Sequence, residues 1–156
     1  MPETFATMPL VTQIHIIAAL TSVVLTPVQF VRRRGDRLHK RFGYVWVIAM
    51  AVTALSSFGI NDIRLIGPFS PIHLLSAWVL FGLYSAILAA RRGNIALHAR
   101  LLRQNAFWGL GVAGTFTLIP GRFLSNWVFD GFATQGFVIM LIILLIVTFR
   151  FKLWRV

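Results

Sequence analysis

Residues 14–36 read IHIIAALTSVVLTPVQFVRRRGD, and 58 positions later residues 72–94 read IHLLSAWVLFGLYSAILAARRGN. Each stretch begins with Ile-His, continues as a long apolar run, and ends in Arg-Arg-Gly followed by Asp or Asn. With one inserted residue, His39-Lys40-Arg41 then corresponds to His98-Ala99-Arg100. All four histidines occupy matched positions, which predicts a tandem repeat of a helical hairpin.

The composition indicates a membrane protein. Of the residues, 58% are hydrophobic and 12% are charged, and the mean hydropathy is +0.80. Five apolar segments approach the length of about 20 residues that a bilayer core requires. They cover residues 9–31, 39–60, 71–90, 100–119 and 133–150. We therefore expect an all-α integral membrane protein with five transmembrane helices in one domain, 1–156. The repeat units 9–60 and 71–119 form a four-helix bundle, and 133–150 is an extra helix.

The basic residues alternate with these segments. The net charge is +11, but 13 of the 15 Lys and Arg residues lie at 32–41, 91–103 and 150–155, and Arg64 and Arg122 stand apart. Positive loops stay on the inner side of a membrane, which places the N-terminus outside and the C-terminus inside. The charge therefore indicates topology and contact with membrane lipids, and no motif points to nucleic acid.

Missing residue types narrow the chemistry. The chain has no cysteine, which excludes thiolate nucleophiles, iron–sulfur ligation and c-type haem attachment. Its four acids, Glu3, Asp36, Asp62 and Asp130, lie outside the apolar segments, so no carboxylate-bridged metal pair is expected. No catalytic triad or phosphate-binding loop is present, and the sequence identifies no catalytic residue.

The histidines are the candidate ligands. A single histidine near a membrane interface is usually an interfacial residue. Here His15 and His73 are expected at one depth near the outer face, and His39 and His98 at one depth near the inner face. Such pairs on facing bundle helices suit axial ligation of haem iron, which predicts one or two b-type haems; copper or zinc is the alternative metal.

Further polar residues allow two interpretations each. Arg41 and Arg100 either pair with haem propionates or extend to the inner interface. Gln29 and Asn105, placed near the inner helix ends, either hydrogen-bond between helices or contact a histidine or a quinone-like head group. Arg122 is either an interface anchor or an anion contact near the outer histidines.

Local motifs predict how the helices end and pack. Asp36 and Asn94 should cap the helices that follow them, and Gly35 and Gly93 should close the helices before them. The small residues Gly109, Gly111, Ala113 and Gly114 should allow close helix contact. Trp46 and Trp78 should lie deep, packed between helices.

The motifs also resemble a known family. Leu25-Thr26-Pro27-Val28-Gln29-Phe30, Leu38-His39-Lys40-Arg41-Phe42-Gly43-Tyr44, and Arg91-Arg92-Gly93-Asn94 with His98 are similar to the pattern of the predicted bacterial membrane proteins of domain-of-unknown-function family 2306. The chain departs from that pattern at Thr26, Lys40, Asn94 and Leu102 and keeps every histidine. The resemblance implies a bacterial cytoplasmic membrane location and brings no settled activity. The helix and histidine layout is separately similar to transmembrane di-haem b-type cytochromes.

Two functions remain open at this stage. The first is electron transfer across the membrane through haem held by His15/His73 and His39/His98, with a quinone or another redox partner. The second is a non-enzymatic accessory subunit, or a lipid-binding or quinone-like small-molecule-binding protein, without metal. Whether the chain is an enzyme, and its oligomeric state, are not indicated.

The charge pattern makes the topology testable. Reporter fusions after Val31 and after Arg64 should report opposite sides of the membrane, with the first inside, because basic loops resist translocation. A cytoplasmic signal from both fusions would contradict the five-span topology.

Overall fold

The structure, a computed structural model, describes residues 5–32, 35–60, 71–120, 125, 129 and 132–150. Its regular elements in these ranges are all helical, which confirms the predicted all-α class. After a short 3₁₀ turn at Phe5–Thr7, the elements in chain order are α1 (Leu10–Val31), α2 (Arg37–Ser57), α3 (Pro71–Arg91), α4 (Ile95–Asn105), the π-helical segment π1 (Ala106–Val112), α5 (Ala113–Thr117) and α6 (Ala133–Arg150).

The helix ends follow the predicted capping pattern. The Asp36 side chain accepts a hydrogen bond from the His39 backbone N–H, and the Asn94 side chain accepts one from the Leu97 N–H at 3.0 Å. Gly35 and Gly93 have φ angles of +85° and +76°, a conformation that favours glycine. The predicted caps and closing glycines are therefore confirmed.

The inserted residue changes the phase of the second hairpin. His39 stands three positions after its cap Asp36, whereas His98 stands four positions after its cap Asn94. One extra residue turns a side chain by about 100° around a helix. His39 and His98 are thus matched in sequence but not in their rotation relative to the helix start.

The four repeat helices form a closed ring. α1 packs on α2, α2 on α3 and α3 on α4, and π1 touches both α3 and α1. This arrangement supports the predicted four-helix bundle, and α6 packs against α5 beside it. The buried core consists of Trp46, Met50, Ala54, Val79, Leu83 and Ala106.

Two of the described helices have the length and hydropathy of a membrane span, namely Leu10–Val31 and the stretch Ile72–Arg91. α2 begins with Arg37, Lys40 and Arg41, which lower its hydropathy. The fourth predicted span, 100–119, is divided among α4, π1 and α5. Large apolar side chains such as Leu74 face outward from the bundle, which suits a lipid environment.

Trp46 of α2 links the two helices of the first hairpin through its indole N–H. Its indole N–H lies 3.1 Å from the Ser22 carbonyl and 2.9 Å from the hydroxyl oxygen of Thr26, the residue before Pro27 inside α1. The side chain is buried, as predicted. Trp78 is 40% exposed, so the expectation that it packs between helices was wrong: it lies on the outward side of α3.

Glycines create two close contacts in the bundle. A Cβ atom at Gly82 would lie 2.5 Å from Asn105 Nδ2, and one at Gly109 would lie 2.9 Å from Met50 Cε. Close packing is confirmed at Gly109. At Gly114 a Cβ atom would meet nothing within 4 Å, so the predicted close contact is wrong there.

Gly82→Ala should destabilise the bundle, because the added methyl group overlaps the buried Asn105 amide. Overpacking of this kind costs about 1–3 kcal/mol. Thermal unfolding in detergent measures the change. Gly114→Ala is the matched control and should be neutral or stabilising, since alanine favours helix over glycine by up to about 1 kcal/mol. Equal effects at both positions would contradict the close contact at Gly82.

The cap at Asp36 should make stability depend on acid. The His39 N–H and the Arg32 guanidinium, which lies 3.1 Å away, hold the pKa of Asp36 below its usual range. A native-state pKa below the unfolded value stabilises the fold above the unfolded pKa, and this contribution is lost as pH falls through the native one.

The unfolding temperature of the wild-type protein should fall as the pH drops below about 4, because the Asp36 cap becomes protonated. Asp36→Asn keeps a capping side chain that does not titrate, so its unfolding temperature should fall less over the same pH range. Asn94→Asp, the matched control at the other cap, should gain a similar acid dependence. An unchanged acid profile in Asp36→Asn would show that the cap does not titrate in this way.

Candidate functional site

His15 and His73 lie at one end of the bundle. We call it the serine end, because Ser56, Ser57 and Ser76 lie there. His15 Nδ1 of α1 is 3.0 Å from Ser56 Oγ. His73 Nε2 of α3 is 3.2 Å from the Ser57 carbonyl. Because Ser56 and Ser57 are consecutive residues of α2, both histidines reach the same level of the bundle, as their matched sequence positions predict.

His73 is held on several sides. Its side chain is 5% exposed, and its ring stacks on Phe58 with a centroid separation of 5.3 Å and an interplanar angle of 11°. Below it, the Ser57 and Ser76 hydroxyls are 2.6 Å apart, and both side chains are buried. The ring orientation of His73 is therefore set by Ser57, the last residue of α2, and by Phe58, which follows α2.

The other two histidines lie at the opposite end, where the arginine residues collect; we call this the basic end. His98 Nδ1 is 2.9 Å from the Ala86 carbonyl of α3. His39 stands in the first turn of α2, and the Gln29 amide reaches its carbonyl at 3.4 Å. Gln29 thus contacts the backbone of a candidate ligand, in the way expected of a residue that links helices.

Hydrogen-bond chemistry fixes where the ring protons reside. A carbonyl oxygen only accepts, so neutral His98 carries its proton on Nδ1 and has a lone pair on Nε2. By the same reasoning, neutral His73 carries its proton on Nε2 and has its lone pair on Nδ1. These two histidines therefore bond to backbone carbonyls through opposite ring nitrogens.

The arginines that were predicted to contact a ligand differ in their exposure. Arg41 is exposed, Arg100 is half-buried, and both belong to the basic end. Arg122 lies outside the described residues. Among the residues that the structure describes, the one ion pair is Arg32–Asp36, which closes the loop between α1 and α2.

Asn105 lies deeper than expected. It is fully buried against Gly82, in the middle of α3, and about 10 Å along the helix axis from His98. Its amide N and O have no hydrogen-bond partner among the described residues. The π1 segment starts at the next residue, and π-helical turns often occur at functional sites.

The possible metal ligands do not come together in a large cluster in the described part of the chain. Within the described ranges, no group of three or more His, Cys, Asp or Glu side chains is placed to hold a metal ion. A cavity of about 170 Å³ lies between the π1–α5 region and α6, lined by Val112, Thr115, Phe116, Ile119, Phe137 and Leu141. No histidine lines this cavity. The histidines that are the candidate ligands therefore lie elsewhere in the bundle.

The hydrogen-bond and stacking partners of the histidines were not predicted from the sequence. Ser56, Ser57 and Ser76 contact the rings or one another, and Phe58 stacks on His73. The available signal was the Ser-Ser pair in an otherwise apolar run, at the same predicted depth as His15 and His73. To predict these contacts from that pair, the rotation of α2 about its axis relative to α1 and α3 would have to be known.

A comparison with protein families supplies the classification. The sequence model of DUF2306, described as a predicted membrane protein, matches residues 12–153. The chain belongs to the DUF2306 family. The match includes all four histidines and both hairpins, and it supports the membrane location indicated by the apolar helices. No curated protein and no solved structure matches the chain.

Proposed function

We propose that this DUF2306 protein is a b-type haem protein that transfers electrons across the bacterial cytoplasmic membrane. His15 and His73 would hold one haem near the outer face, and His39 and His98 would hold a second near the inner face. Five spans, with the N-terminus outside and the C-terminus inside, complete the proposal. The basic end then faces the cytoplasm, in agreement with the distribution of arginine.

The orientation of His98 is the observation that carries this proposal. Metal-bound histidines almost always donate their second ring N–H to a carbonyl, a carboxylate or water, which fixes the tautomer and the ring plane. His98 donates Nδ1–H to the Ala86 carbonyl and leaves the Nε2 lone pair for a metal. His15 also engages a partner through Nδ1, the Ser56 hydroxyl.

The residues fit haem in part. His15 and His98 would offer Nε2 to the iron, whereas His73 would first have to release the Ser57 carbonyl that its Nε2 contacts. Haem, when bound, supplies reversible one-electron chemistry at iron. The histidines would supply the nitrogen ligands and their hydrogen bonds, and the half-buried Arg100 would supply positive charge near the inner pair.

A second candidate function is a non-enzymatic accessory or small-molecule-binding protein without metal, with lipid or a quinone-like molecule as ligand. His73 favours it, because the ring is already stacked on Phe58 and hydrogen-bonded to Ser57. The buried amide of Asn105 would offer such a ligand a hydrogen bond. In this case the histidines stabilise helix contacts.

The full chain, expressed with an ample haem supply and purified in detergent, should show a haem absorption band that shifts on reduction with dithionite. His98→Ala should remove the inner share of the signal, and His15→Ala should remove the outer share, because each variant loses an axial nitrogen. Gln135→Ala, at an exposed position of α6, is the control and should retain both shares.

Gel filtration and thermal unfolding of each variant separate loss of haem from loss of the fold. Colourless wild-type protein that contains neither iron nor copper by elemental analysis would overturn the haem proposal and leave the accessory function. A haem band that survives in both histidine variants would overturn the ligand assignment.

A further inference from the structure

Ser56 has a single hydroxyl proton and three neighbours. Its Oγ lies 2.7 Å from the Val52 carbonyl, 3.1 Å from the Thr53 carbonyl and 3.0 Å from His15 Nδ1. We assign the proton of Ser56 to the Val52 carbonyl, because this is the shortest of the three contacts and a carbonyl can only accept. The serine oxygen is therefore the acceptor in its contact with His15.

The tautomer of His15 follows from this count. With the Ser56 proton on the Val52 carbonyl, neutral His15 donates Nδ1–H to Ser56, and its Nε2 carries the lone pair. This tautomer is the less populated one for a free imidazole side chain in water, which prefers the proton on Nε2. His15 therefore needs a partner to hold it in a form suited to ligation through Nε2.

We infer that Ser56 is a positioning residue that fixes the ring of His15 with its Nε2 lone pair available to a metal. The tautomer depends only on the hydrogen bonds described above, whereas its use in haem ligation rests on the proposed function. Ser56 does for His15 what the Ala86 carbonyl does for His98. Of these two partners, only Ser56 is a side chain that substitution can remove.

The bundle provides a matched control for Ser56. Ser22 is buried on α1, and its hydroxyl donates to the Ala18 carbonyl at 3.0 Å. Ser22→Ala removes a similar back-bonded hydroxyl from the same hairpin without touching the His15 contact described here. Ser56→Thr retains an acceptor oxygen at the position that Ser56→Ala empties.

The test is ¹⁵N NMR of the full chain without haem, labelled at its four histidines, with His15 assigned by its disappearance in His15→Gln. Wild-type, Ser22→Ala and Ser56→Thr proteins should show His15 protonated on Nδ1. Ser56→Ala should move the His15 population toward the Nε2–H form. A wild-type His15 protonated mainly on Nε2, or a Ser56→Ala spectrum equal to wild type, would overturn the inference.

Haem-loaded protein then tests the use of this tautomer. Ser56→Ala should lower occupancy at the outer site or raise its midpoint potential, because the ligand loses an acceptor that increases its basicity. Ser56→Thr should restore the wild-type value, and Ser22→Ala should match it. An outer site that Ser56→Ala leaves unaltered would overturn the positioning role. Absence of haem from every variant would defeat the proposed function while the tautomer result still stands.

Discussion

A hydroxyl group on an apolar helix has one proton to donate, and in the described part of this bundle many such hydroxyls lie beside a carbonyl of their own helix. Nine described Ser and Thr hydroxyls lie within hydrogen-bond distance of a carbonyl three or four residues earlier: Thr21, Ser22, Thr26, Thr53, Ser56, Ser57, Ser76, Thr115 and Thr117. Where the proton goes to that carbonyl, the hydroxyl oxygen can accept a hydrogen bond from a neighbouring helix. Trp46 brings its indole N–H to Thr26, and His15 brings its ring N–H to Ser56.

Rules that act between neighbouring residues were sufficient to predict much of the fold. Asp36 and Asn94 cap helices, and Gly35 and Gly93 close them, because a cap depends on side chains within a few positions of the helix end. The limits of α1 and α3 were predicted within one residue, whereas α4 begins at Ile95, five residues before the predicted span. The π1 segment was not predicted, because its residues have the same apolar character as an α-helical span.

For the four histidines, the end of the bundle at which each lies was predictable, but the hydrogen-bond partners were not. The repeat placed His15 with His73, and both reach consecutive residues of α2. Which nitrogen each ring offers depends on the rotation of α2 against α1 and α3, which hydrophobic periodicity does not specify. Trp78 shows the same limit, since its depth along α3 was inferable but the face it occupies was not.

The contact between Met50 and Gly109 bears on the history of the bundle. These two positions are equivalents in the repeat, 50 and 109 differing by the offset of 58 plus the one inserted residue, and they meet across the bundle. If two separate copies of one hairpin had paired symmetrically, the residue at this point would have faced itself. Two methionines would then crowd each other, and two glycines would leave a void. Joining the copies in one chain frees the halves to diverge, so that a large side chain in one can fill the space left by a small residue in the other.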